Sequence, residues 1–467
     1  MGERLQRGGV DGPGVHGRGV ALKHDADIPL QRILCSVLAA ISLGAVMHLF
    51  RLHLAGVGLG NLADGIVAGA VPLLAITLTR DPLLVGLVST AMWLPWLLGA
   101  LLVGVVVDRT DRARLRRLAL AARTCVLGAG VGVALADVLT IWVLLALCLA
   151  YAVTEVFSDL AASAMIPQLV PREDLPRANA RVMGTERLMQ EFVGQPIGGA
   201  LVMLGAGWVF GSSAAVVVLV VLLLGRLRRP EGFVAPRRSS VDSSVAEEAA
   251  TVRQDLAEGL RLVLRHPVVR PFTISAALTN FANTAYFSVF VLWAVGPGSA
   301  VGLEPWQFPL LVAVLSAGAI AGSLVPSRWL LRVGEVRVMI GCWFVNSALL
   351  LVPVLVPAWW AIGPVLVVIG ATNMVGNVIG ASIRQRVVPA QLLGRTGGAT
   401  RTLVFGTMAV AGPVGGLVAR ELGLPVLFVG ATVMALLVTA WVATRVDQDV
   451  VDRAEAALAE QETTPVR

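Results

Sequence analysis

Charged side chains set inside long apolar runs are the residues of this chain best placed to do chemistry. A charge is costly in hydrocarbon and is kept there mainly for a task. Asp64 sits in the middle of one such run, one turn from Asn61. Glu155 and Asp159, four apart, share a helix face in a second run. Glu186, Arg187, Gln190 and Glu191 crowd a third, with Arg187 and Glu191 at pairing distance along a helix, and Arg123 lies in a fourth. A carboxyl group in such a setting can exchange a proton between its neutral and charged forms. Asp64, Glu155 and Glu186 are therefore the candidates for coupling proton movement to that of a solute. A second reading stays open beside it: Glu155, Asp159 and Glu186 pair with Arg109, Arg112 or Arg187 as salt bridges of a gate. Asp64 stands apart, because no arginine is evident at its depth. Later apolar runs offer uncharged amides instead, Asn280 and Asn283 in one and Asn373 and Asn377 in another. With Asn61 and Gln190 these are the candidate lining of a substrate cavity.

The elements that must position these groups follow from composition. The chain has 467 residues, 56% of them hydrophobic and 14% charged, with a mean hydropathy of +0.79. Soluble domains carry about 25% charged residues, so a soluble enzyme is a poor fit. Twelve apolar runs are long enough to cross a bilayer, at 54–78, 83–107, 118–137, 139–161, 183–204, 207–225, 269–296, 306–328, 336–356, 359–381, 396–419 and 424–445. The expected fold class is an all-α membrane protein of twelve transmembrane helices. The net charge of +7 does not indicate nucleic acid, because the arginines fall in short connections rather than on one face. Cys35, Cys125, Cys148 and Cys342 lie in apolar runs without a Cys-x-x-Cys pair, as buried structural thiols do. No nucleotide-binding loop, metal cluster or nucleophile–base pair is visible. The expectation is no enzyme, no cofactor and no metal site.

Alternate connections sort by charge. One set holds Arg109, Arg112, Arg114, Arg116 and Arg117, then Arg172, Arg177 and Arg181, with further arginines at 226–238, 328–337 and 384–395. The other set is nearly neutral. Short basic loops stay in the cytoplasm, which predicts a multi-pass protein of the cell membrane with both termini cytoplasmic. Residues 226–268 read as a cytoplasmic linker ending in an amphipathic helix over 246–265. It separates two six-helix halves, 51–225 and 269–445. Residues 1–50 form an expected disordered N-terminus with an extra apolar segment at 33–50, which packs at the membrane interface or precedes the true start. Residues 446–467 form a cytoplasmic tail. The halves echo each other: Gly104 and Gly322, Val170 and Val388, and Arg177 and Arg395 recur at one constant offset. Pro196-Ile-Gly198-Gly199 is matched by Pro413-Val-Gly415-Gly416 one residue out of that register.

The connection Gly104-Val-Val-Val-Asp108-Arg109-Thr-Asp111-Arg112 packs five arginines and two aspartates between Asp108 and Arg117. Its Gly-x-x-x-Asp-Arg-x-x-Arg spacing resembles the loop between helices 2 and 3 of the major facilitator superfamily of secondary transporters. Asp111 stands where that family usually has a second glycine. In the second half Gly322 is kept, but Pro326 and Ser327 replace the aspartate and arginine. Pro196-x-Gly198-Gly199, after Gly194, looks like a degraded form of an antiporter helix-5 motif. Asn61-Leu-Ala-Asp64-Gly65, Val85-Gly-Leu, Leu94-Pro95-Trp96 and Ile166-Pro-x-Leu-Val-Pro171 are similar to the branch containing enterobactin exporters and macrolide efflux proteins.

The resemblance implies two pseudo-symmetric six-helix bundles around a central cavity. It implies that Gly104, Asp108, Arg109 and Arg112 form a gating loop, and that the activity is proton-powered efflux of a small hydrophobic or amphipathic compound. The arginine that many drug–proton antiporters carry on helix 4 is missing. Expected partners are a small-molecule substrate, protons and the lipid bilayer, with no nucleic acid and a monomeric state. Uptake of a metabolite, or a transport-inactive membrane sensor, are the alternative readings.

Overall fold

Wherever apolar runs are long enough to cross a bilayer, the backbone must satisfy its own hydrogen bonds, and helices result. The computed structural model describes residues 27–226, 233, 259–325, 334–389 and 392–463. Within these, side chains are described except at 27–47, 99–102, 104, 105, 108, 394 and 461–463. Residues 1–26, most of the linker, and Pro326 with Ser327 lie outside the described residues. So do the first turns of the expected amphipathic helix, of which 259–265 is helical. The chain divides into Met1–His48 and Leu49–Arg467. In the first, residues 27–48 are helical; the second holds the bundle.

In chain order the helices are α1 (Asp27–Leu78), α2 (Pro82–Arg109), α3 (Arg112–Leu135), α4 (Ile141–Leu169), α5 (Leu175–Arg187), a π-helical turn π1 (Leu188–Gly194), α6 (Gln195–Val202) and α7 (Ala206–Gly225). They continue as α8 (Val269–Ala294), α9 (Phe308–Ser323), α10 (Glu335–Leu349), α11 (Val352–Leu355), α12 (Trp359–Val387), α13 (Leu393–Leu422), α14 (Leu424–Ala443) and α15 (Gln448–Thr463). Taking α5–π1–α6 and α10–α11 each as one interrupted element, these supply all twelve expected crossings. Nine of the described helices are long and apolar enough to span a membrane, the first being His48–Leu78. Three crossings escape that measure. In α2 the unbroken stretch with described side chains is Pro82–Leu98, α5–α6 is broken by the π-turn, and α8 is diluted by Asn280 and Asn283.

The twelve crossings pack as two pseudo-symmetric sets. In the first, α3 lies against α4 and α7, and α2 against α4. In the second, α10 lies against α12 and α14, and α9 against α12. The duplicated glycine pair has matching roles. A methyl added at Gly198 would sit 2.1 Å from the carbonyl oxygen of Ile66 in α1, and one at Gly415 would sit 2.7 Å from that of Ala285 in α8. Their neighbours reach across to the other half: Gly199 meets Pro309 of α9, and Gly416 meets Pro82 and Leu83 of α2. Two seams therefore join the halves, α2 with α13 and α6 with α9. Both lie toward the end of the bundle whose connections carry little charge.

At the opposite, basic end the hairpin between α2 and α3 is shorter than the expected break at 107–118. Asp111 caps α3, its Oδ1 accepting the backbone N–H of Arg114 at 2.7 Å. The cap starts α3 at Arg112 and draws Arg112, Arg114, Arg116 and Arg117 into its first turns. The tail is helical too: Glu455 of α15 accepts Arg386 Nε of α12 at 2.8 Å, which ties the tail to the basic end.

Candidate functional site

The centre of the first half holds a buried ion pair. Asp64 comes from α1, Arg123 from α3, and Tyr151 and Thr154 from α4. Arg123 Nη1 donates to Asp64 Oδ1 at 2.6 Å, with the two side chains 1% and 6% exposed. Arg123 Nε donates to Thr154 Oγ1 at 3.2 Å. The Tyr151 hydroxyl donates to the same oxygen of Asp64, and the guanidinium lies 4.7 Å from the centroid of the Tyr151 ring. The expectation that Asp64 has no arginine at its depth is thus overturned. One turn of helix rises about 5.4 Å, and counting turns along separate helices gives no common origin for the depths of α1 and α3. The signal available is Tyr151 itself: the chain has two tyrosines, and both are buried.

Further carboxylates surround this pair. Glu155 and Asp159 of α4 both act electrostatically on Arg123, and Asp159 and Glu186 act on Arg116. Arg116 is 3% exposed, and its Nε and Nη1 have no hydrogen-bond partner among the described residues. Nearby His53 is fully buried with both ring nitrogens likewise unpartnered. Arg116 and Arg123, both from within α3, thus lie in the field of these carboxylates. Arg187 is exposed, and among the described residues no ion pair joins it to Glu191. The π-turn opens the four-residue spacing that such a pair needs. Glu191 instead accepts a hydrogen bond from Ser316 of α9.

Beside the ion pair, a cavity of about 490 Å³ lies where the halves meet, within the size range of small-molecule sites. Val71 and Pro72 of α1, Met92, Trp93 and Trp96 of α2, Phe287 of α8 and Met408 of α13 give it an apolar, aromatic wall. Glu155, Gln190, Asn280 and Asn283 supply polar groups, and Glu155 is the one charged side chain among the described lining residues. Asn283 Oδ1 is buried without a partner among the described residues, and Asn280 Nδ2 is used within its own helix, donating to Ala276 O at 2.8 Å. The other amide candidates fall elsewhere. Asn61 donates to Val57 O of its own helix at 3.0 Å. Asn373 and Asn377 are exposed on α12 and bond each other at 2.8 Å, and Asn377 lines a separate pocket with Thr273 and Trp343. Sequence alone does not single out the tryptophans, because apolar lining and apolar core have one composition. Phe405 of α13 packs on both Trp93 and Trp96, with ring centroids 5.5 and 6.0 Å apart.

Of the gating-loop residues, Gly104 lies in the last turns of α2 with Asp108, whose side chain is outside the described set. Arg109 is exposed. Arg112 Nη1 donates to the Ala164 carbonyl of α4 at 2.7 Å. Asp111, the departure from the family pattern, has a second role besides its cap. Its Oδ2 accepts the backbone N–H of Phe233 at 2.7 Å, and Arg112 N–H donates to Phe233 O at 3.1 Å. Phe233, a linker residue, is 1% exposed and packs in the cluster of Phe50, Met165, Leu169 and Val182.

Comparison with known proteins agrees with this architecture. The chain is 27% identical over 364 residues to the enterobactin exporter EntS of Citrobacter koseri, covering 76% of this chain and 81% of that one. Identity to EntS of Escherichia coli O1:K1 is 28% over the same length and the same shares. Among solved structures, a mutant form of the nucleoside transporter NupG superposes with a TM-score of 0.63 at 14% identity, covering 85% of this chain and 100% of that one. A bacterial homolog of the human lysosomal transporter Spinster, inward-facing and occupied, gives 0.60 at 15% identity, covering 86% and 98%. The model of the Major Facilitator Superfamily matches residues 54–413. This chain belongs to that superfamily, and it is a membrane transporter and not an enzyme.

Proposed function

We propose that the protein exports a small hydrophobic or amphipathic molecule (a drug, siderophore or secondary metabolite) in exchange for protons, by alternating access. The observation that carries this reading is the cavity between the halves, aromatic-walled and holding Glu155 beside the Asp64–Arg123 pair. A carboxylate that faces both the solute space and a buried charge cluster can hand a proton on as the solute moves. Asp64, Glu155 and Glu186 are the proposed proton-handling set, with Asp64 fixing Arg123 and Glu155 facing the cavity. Gln190, Asn280 and Asn283 are the proposed substrate contacts. Gly104, Asp108, Arg109 and Arg112 are the proposed gating loop, working as a monomer's own latch.

With basic loops in the cytoplasm, both termini are cytoplasmic and the two glycine-packed seams close the outer side. The proposed division is two bundles, 51–225 and 269–445, joined by the linker 226–268. Likeness to enterobactin exporters favours outward transport, and enterobactin is the first probe to use. In everted membrane vesicles energised to acidify their interior, enterobactin should accumulate with the protein and not without it. Accumulation in right-side-out vesicles instead would make the protein an importer. Absence of transport in both, with the protein folded and inserted, would leave the sensor reading.

A further inference from the structure

The second half repeats the helices of the first but not its buried charges. At the offset that relates Val388 to Val170, Gly341 takes the place of Arg123. Asn373 and Asn377 likewise take the places of Glu155 and Asp159. Where the first half is filled by its ion pair and the surrounding carboxylates, the second holds a pocket of about 290 Å³ between α8, α10, α12 and α13. Its wall is aromatic: Phe272 of α8 meets Trp343 of α10 edge to face, with ring centroids 5.9 Å apart. Two glycines of α12, one turn apart, make the slot for the indole. A methyl added at Gly376 would sit 2.6 Å from Trp343 Nε1, and one at Gly380 would sit 4.0 Å from its Cζ2. Thr273 of α8 and Thr400 of α13, both buried, meet hydroxyl to hydroxyl at 3.3 Å. That bond uses one hydroxyl proton of the pair and leaves the other to donate. Arg384 of α12 is the one charged side chain among the described lining residues. It is half-buried and, among the described residues, pairs with no carboxylate. Glu335 of α10 and Glu455 of α15 are held by Arg386 instead.

We propose that this pocket binds a single-ring aromatic anion, an aryl carboxylate, with Arg384 pairing its charge and Phe272 and Trp343 packing on its ring. A guanidinium and a carboxylate match as a two-pronged, charge-assisted pair, and the aromatic wall adds edge and face contacts. At about 290 Å³ the pocket stands at the lower limit of small-molecule sites, with room for one ring rather than a larger solute. The central cavity is no equivalent site, because its one charge among the described lining residues is the acid Glu155. Thr273, Trp343 and Thr400 lie within three turns of the starts of their helices, and Arg384 within one turn of the end of α12. All four are therefore near the basic end of the bundle. In the export reading above, that is the side from which solute enters, and a bound aryl carboxylate stands at the entrance to the cavity. This placement rests on that reading; the binding itself does not.

Fluorine NMR of para-fluorobenzoate with the full chain in phosphatidylcholine nanodiscs tests this without flux or gradient. The line of the probe should broaden on binding and recover when unlabelled benzoate competes. Arg384→Gln should weaken binding at least about tenfold, the loss expected of a hydrogen bond to a charged group. Neutral para-fluorobenzamide should bind the wild type as poorly. Arg384→Lys keeps the charge and should retain part of the affinity, which covers a folding failure of the first variant. Trp343→Leu should weaken binding too, whereas Trp93→Phe combined with Trp96→Phe, in the central cavity, should not. Unchanged binding in both Arg384→Gln and Trp343→Leu, or equal binding of the amide, overturns the proposal. If binding is lost when phosphatidylglycerol replaces phosphatidylcholine, Arg384 serves a lipid phosphate and the proposal falls. Failure here leaves export standing, and failure of gradient-driven export in vesicles leaves this pocket standing.

Discussion

Asp64 and Arg123, from helices α1 and α3, form a 2.6 Å ion pair in which neither side chain is more than 6% exposed. Breaking one side of a buried pair costs about 3–5 kcal/mol because the remaining charge is stranded. Asp64→Asn should therefore lower the melting temperature in detergent as well as transport. Asp64→Asn combined with Arg123→Gln should recover much of the lost stability, since neither charge is then left alone. A single variant as stable as the wild type would contradict the pairing, as would a double variant no better than the single.

Asp111 caps α3 and holds the backbone of Phe233. Loss of a helix cap costs about 1 kcal/mol. Asp111→Ala should lower stability by that order and free the linker, read as faster cleavage beside Phe233 in limited proteolysis. Asp111→Asn, which keeps an acceptor for the α3 cap, should lie closer to the wild type. Equal cleavage rates in all three would show that Asp111 does not anchor the linker.

Gly198→Ala places a methyl 2.1 Å from the Ile66 carbonyl, a backbone atom that cannot swing aside. The α1–α6 contact must open, so a large loss of folded protein is expected on size-exclusion chromatography. Gly184, in α5 with nothing within 4 Å of an added methyl, is the control. There the alanine should be neutral or stabilising, since glycine in a helix costs about 1 kcal/mol relative to alanine. Similar behaviour of the two variants would mean that backbone approach is not what Gly198 provides.

Trp93 and Trp96 line the cavity, so substrate binding should quench tryptophan fluorescence. Trp93→Phe combined with Trp96→Phe should remove most of the quenching by enterobactin and keep the fold. Full quenching in that double variant would place the binding site elsewhere.

The bundle is legible in the sequence because apolar length and alternate loop charge follow directly from the bilayer. The hairpin at Asp108–Arg117 and the Gly198/Gly415 echo point to the duplicated family fold for the same reason: short motifs with fixed geometry. The site is legible only in part. Glu155, Gln190, Asn280 and Asn283 are brought to one cavity, as residue type and depth suggest. Asn373 and Asn377 are not, because helix rotation decides which face sees the cavity and α12 turns them away. The Asp64–Arg123 pair and the Glu191–Ser316 bond depend on relative depth and on a π-turn, and neither follows from local periodicity. Asp111 is, in sequence, only a departure from a glycine; its partner Phe233 lies far along the chain, where spacing carries no information.

The central claim is that proton movement through the cavity carboxylate drives solute export. Its most direct test is enterobactin flux in proteoliposomes under an imposed pH gradient, comparing the wild type with Glu155→Gln. The wild type should concentrate enterobactin only while the gradient lasts. Glu155→Gln should still bind it, by tryptophan quenching, yet fail to concentrate it. Gradient-driven accumulation by Glu155→Gln at the wild-type rate, or wild-type accumulation indifferent to the gradient, would contradict the account.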